Sequence, residues 1–60
     1  MFKYLEIVED STSKVVKRMD VTSKTDRQIQ KLENGLELNL NHAEYTVEYH
    51  ESKVELPIIG

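Results

Sequence analysis

Sixty residues with a net charge of −3 and no cysteine allow one domain at most, no disulfide staple and no Cys-based zinc site. A chain this short buries only about 60% of the surface its unfolded form exposes, so stability must come from regular packing or a partner subunit. No apolar run approaches the ~20 residues that cross a bilayer. Acids interrupt "MFKYLEIVEDSTSK" where a signal peptide's apolar segment would continue. The expectation is a cytoplasmic domain over residues 1–60, soluble and not bound to a membrane.

"FKYLEIV", residues 2–8, is rich in aromatic and β-branched residues and reads as a strand. "EDSTS" follows, with side chains that bind their own backbone and favour turns. "KVVKRMDV", residues 14–21, reads as a second strand, and the short polar link makes the two a hairpin. Val15, Met19 and Val21 share one parity and hence one face, with Lys17 the misfit between them. "TSKTDRQ" opens a helix. Thr25 and Gln28 stand at capping-box spacing, Asp26 suits the positive end of the helix dipole, and Ser23 is a competing cap.

The dipeptide Asn34-Gly35 can mark a hairpin, but its flanks must then alternate. Leu36, Leu38 and Leu40 do; Ile29 and Leu32 differ in parity and do not. Two readings remain. In one, the helix ends at a left-handed Gly35 and a fourth strand covers 36–40. In the other, the helix runs from about 26 to 42. At about 100° per residue, Ile29, Leu32, Leu36, Leu40 and Ala43 then form one stripe about 80° wide, with Leu38 about 180° away. Burial of Leu36 and Leu40 at ~1.5–3 kcal/mol each offsets the ~1 kcal/mol cost of an interior Gly. The continuous helix is the preferred reading, and it leaves Leu38 exposed.

"YTVEYHE", residues 45–51, is the clearest strand. Tyr45, Val47 and Tyr49 share one face and Thr46, Glu48 and His50 the other, as in a sheet covered on one side only. In "SKVELPIIG", Pro57 cannot donate to a ladder and marks an edge or a tail. The order is β-β-α-β: an α+β fold with a three-stranded antiparallel sheet and one helix across one face. The expected core is Leu5, Ile7, Val15, Met19, Val21, Ile29, Leu32, Leu36, Leu40, Val47 and Tyr49. Phe2 and Tyr4 compete with Leu5 and Ile7 on the other parity of the first strand.

The segment "DRQIQKLENGLELNLNHAEYTVEY", residues 26–49, resembles small uncharacterised accessory proteins of phages and prophages of Gram-positive bacteria. In those, a charged, amide-rich helix carries a Gly, and an "NLNH"-like element and a Tyr-bearing strand follow. The resemblance implies no catalytic residues. It implies an accessory protein acting on a host component in a bacterial cytoplasm.

Enzyme chemistry is not expected. No Ser sits in a Gly-flanked elbow, and the only glycines, Gly35 and Gly60, form no phosphate-cradling loop. One helix on one sheet leaves little volume for a cleft that perturbs a carboxylate. His42, His50, Glu44 and Glu48 offer ligand atoms without a metal-binding spacing, so no metal or cofactor is expected.

Charge divides along the chain. Residues 1–30 hold six bases against five acids, and residues 31–60 hold two against six. Lys14, Lys17, Arg18, Lys24, Arg27 and Lys31 could line a basic strip for nucleic acid, with Phe2 or Tyr4 as stacking partners. Asp20 and Asp26 interrupt that strip and the net charge opposes it, so any such binding is weak.

A protein partner is the preferred reading. Sheet edges accept added strands, Tyr4 and Val16 would show on an uncovered face, and Leu38 would be an apolar anchor on the helix. Glu33, Glu37 and Glu48, among the acids, would steer a basic partner. Homodimerisation is the simpler use of the same features.

Overall fold

The computed structural model describes residues 1–60 and places β1 (Phe2–Glu9), β2 (Lys14–Asp20), α1 (Asp26–Asn39) and β3 (Tyr45–Ser52) in chain order. The sheet is antiparallel, with strand order β2-β1-β3. The first strand thus lies in the middle, and α1 carries the chain from one edge across to the other. The fold is α+β with β-β-α-β order and one helix packed on a three-stranded sheet.

Register decides what each face holds. Leu5 pairs with Met19 on one side and Tyr49 on the other, and Ile7 pairs with Lys17 and Val47. Directly opposed residues point to the same face, so these lie beneath α1. The core there is Leu5, Val21 and Ile29, with Met19, Leu32, Leu36 and Val47 packed against it. Tyr49, expected in the core, is 42% exposed because on the edge strand it lines an open groove beside α1 and not the closed interior.

Val15 also departs from expectation. The pairing steps from Ile7↔Lys17 to Val8↔Val15 and skips Val16. This bulge inserts one residue and flips the strand's parity. Val15 therefore joins Val8 on the second face rather than Met19 on the first.

The Thr25/Gln28 capping box is formed. The Gln28 amide donates to Thr25 Oγ1 at 3.2 Å and the Thr25 amide to Gln28 Oε1 at 2.9 Å. The helix runs through Gly35, whose φ is not positive. It stops at Asn39, three residues short of 42, with Leu40 already extended at φ −92°, ψ 148°. The amide side chains explain the stop. Asn41 Oδ1 accepts from the Ala43 amide at 3.1 Å, and the Asn41 carbonyl accepts from Glu44 and Tyr45. These local bonds offer the backbone an alternative to the helix. The stripe therefore ends at Leu36; Leu40 is half-buried outside the helix and Ala43 is exposed.

Gly35 is spared for no steric reason, because a Cβ there meets nothing within 4 Å. Gly35→Ala should stabilise the protein by about 1 kcal/mol through helix propensity and a less flexible unfolded chain. Urea denaturation should show a raised midpoint at unchanged slope; a lowered midpoint would contradict the helical Gly35.

The second face of the sheet was expected to be open; it is covered over β1 and β2, while Thr46, Glu48 and His50 of β3 stay exposed. Residues 53–60 cross it and reach the outer side of β2, where Ile59 forms an antiparallel bridge with Arg18. The Arg18 amide donates to the Ile59 carbonyl at 2.9 Å, and the Ile59 amide returns to the Arg18 carbonyl at 3.4 Å. On the way the Leu56 amide donates to the Tyr4 hydroxyl at 2.9 Å. Gly60 ends the crossing at φ 101°, against the Lys17 stem. Tyr4 is fully buried. Beside it Glu6 accepts from Arg18 Nε at 2.6 Å, and Arg18 Nη1 donates to the Pro57 carbonyl at 3.0 Å.

Candidate protein-binding edge

With β1 central, the two outer strands differ in what their free sides meet. The middle of β2's outer side is taken by Ile59. Nothing pairs with the outer side of β3. In an antiparallel ladder both backbone groups of a residue point the same way, and successive residues alternate. The Asp10 amide donates to the Glu44 carbonyl at 2.8 Å, so the even-numbered residues of β3 face β1. The odd ones face out. Tyr45 donates its amide to Asn41, which leaves the amides and carbonyls of Val47, Tyr49 and Glu51 as a row of unpaired groups. The strand carries no Pro, Lys or bulge to blunt it, the usual protections of an edge.

The side chains of these residues point to the α1 side. There an open groove of about 420 Å³ runs between helix and strand, lined by Asp26, Ile29, Gln30, Glu33, Tyr49 and Glu51. Its three carboxylates form no ion pair, since the fold's one salt bridge joins Arg18 to Glu6. Burial, the neighbouring Glu51 carboxylate and the charge of Asp26 push the Tyr49 phenol above its ordinary value. The groove is thus a site of negative potential beside an unpaired strand.

The residues expected to bind a protein do not come together. Tyr4 is excluded, because it is sealed beneath residues 53–60. Leu38 is 86% exposed on the outer side of α1, in a shallow depression with Asn34, Glu37 and His42. Glu33 lines the groove instead. Glu48 stands opposite Glu6 on the second face of the sheet. Asp26, Val47, Tyr49 and Glu51 were not singled out from sequence as binding residues. The signal available was the strand at 45–51 without Pro or Lys.

The basic residues do not form one strip either. Arg18 is consumed by Glu6 and the Pro57 carbonyl, and Lys17 lies against Gly60. Lys24 and Lys31 share a shallow surface with Gln28 and Leu32 at the start of α1. Lys14 is exposed at the hairpin and Arg27 is exposed on the helix.

No three metal-ligating side chains converge, and no helix is long and apolar enough to cross a membrane. No family model, curated protein or solved structure matches the chain.

Proposed function

We propose that the chain is a non-catalytic protein-interaction module that takes its partner along the outer side of β3. The observation that supports this reading is the unpaired row at Val47, Tyr49 and Glu51, on a strand of eight residues with nothing over its edge. Strand addition draws affinity from such main-chain groups and specificity from the side chains beside them. The resemblance of residues 26–49 to phage and prophage accessory proteins supplies the context: a partner from the host.

The test exploits the direction of the amides. N-methylation of Tyr49, introduced by chemical synthesis, blocks an outward N–H and leaves the ladder to β1 intact. Circular dichroism should be unchanged. Partners captured from bacterial lysate by the immobilised chain should fall about tenfold, the loss of one or two hydrogen bonds. Leu38→Glu, on the far side of α1, should capture them as before. Capture insensitive to the blocked edge and lost with Leu38→Glu would move the binding surface to the helix.

A further inference from the structure

We infer that the occupant of the β3 edge is a cationic extended segment, a stretch of polypeptide with Lys or Arg at alternate positions. This rests on the reading of β3 as the binding edge and names the chemistry of what binds there.

A strand laid beside β3 alternates its side chains between the two faces of the sheet. Those on the α1 side fall beside Tyr49 and the carboxylates of Asp26, Glu33 and Glu51. None of these carboxylates is in an ion pair; Lys3, directly opposite Glu51 in the ladder, turns its ammonium to the Lys24 carbonyl at 3.3 Å instead. The Tyr49 side chain is 42% exposed, which leaves its ring open to an ammonium or guanidinium group. Side chains on the other face fall beside Glu48 and His50. Cations on the α1 side therefore meet three unpaired acids and an aromatic ring, while an acidic or purely apolar segment would leave those charges uncompensated.

The same charges disfavour a second copy. Two β3 strands paired antiparallel are related by a twofold axis perpendicular to the sheet, so both helices lie on one side. The acidic groove residues Asp26, Glu33 and Glu51 of both copies would then crowd one face of the joint, in chains that each carry −3.

The test uses capped peptides as long as β3, eight residues, alternating Lys with Thr or Glu with Thr. Binding is followed by anisotropy and by amide shifts in the folded protein. The Lys peptide should bind and shift the amides of Val47, Tyr49 and Glu51. Its affinity should fall about tenfold between about 50 mM and about 0.5 M salt as the charges are screened. Glu33→Gln with Glu51→Gln should weaken it by a similar factor while leaving the start of α1 untouched. A Lys peptide N-methylated at alternate residues should fail, which separates strand addition from charge attraction alone.

Equal binding of Lys and Glu peptides at these amides would overturn the cationic occupant and leave the edge reading standing. Concentration-dependent shifts at these amides without peptide, with a dimer in sedimentation, would assign the edge to a second copy and overturn the proposal. No shift in β3 with either peptide or with the protein's own concentration would overturn both readings.

Discussion

Arg18→Met is expected to leave much of the protein unfolded at room temperature. Arg18 and Glu6 form an ion pair at 2.6 Å with side chains only 14% and 9% exposed. Removing the cation strands the Glu6 carboxylate between the sheet and residues 53–60. Across the strand it also faces Glu48, a like charge that Arg18 no longer offsets. Breaking a buried pair on one side costs about 3–5 kcal/mol, and a core of this size rarely supplies more than that in total. The substitution also removes the hydrogen bond to the Pro57 carbonyl, so the crossing segment loses an anchor. The double variant Glu6→Leu, Arg18→Met should recover most of the loss, because two apolar groups leave nothing unpaired. Urea denaturation by circular dichroism measures the cycle. If the single variant stays within about 1 kcal/mol of wild type, the pair is a surface contact and this account is wrong.

Leu5→Ala should lower stability by about 2–5 kcal/mol, again close to the whole of what the domain has. Leu5 is fully buried at the centre of the sheet, flanked by Met19 and Tyr49 and grouped with Val21 and Ile29. Leu38→Ala supplies the contrast. It truncates the same side chain at a position 86% exposed and should shift stability by no more than about 0.5 kcal/mol. Equal effects at the two positions would mean that the core lies elsewhere.

The helix and the sheet were legible because local chemistry and global packing agree there. The capping box starts α1 where it should, and the stripe of Ile29, Leu32 and Leu36 carries it through Gly35. The alternation of residues 45–51 gives β3 and the face of Val47. What failed was governed by non-local contacts. A bulge at Val16 inverts the parity of Val15, and no residue type in "KVVKRMD" announces it. The cover over the second face leaves a trace in β1 itself. β1 is apolar on both parities, with Phe2 and Tyr4 on one and Leu5 and Ile7 on the other. That is the mark of a strand buried on both sides, and so of the central strand. By that mark Tyr4 belongs beneath a cover, and not on the open surface that a half-covered sheet implies.

The free edge of β3 is less legible in the sequence. Which strand lies outermost follows from strand order, and that order depends on a crossover through α1. Arg18 illustrates the same limit. By composition it is one of several bases; only the register that sets it against Glu6 makes it structural.

The segment that bridges to Arg18 bears on how far this sheet can grow. Open-ended polymers built by strand pairing need two accepting sides on every subunit, one for the copy ahead and one for the copy behind. Here the chain's own Ile59 occupies the middle of one side. A strand that joined β3 would therefore end the array instead of extending it. On the proposed reading such a sheet would take one guest and stop, and a strand without Pro, Lys or bulge could face its surroundings without seeding fibres of the chain itself.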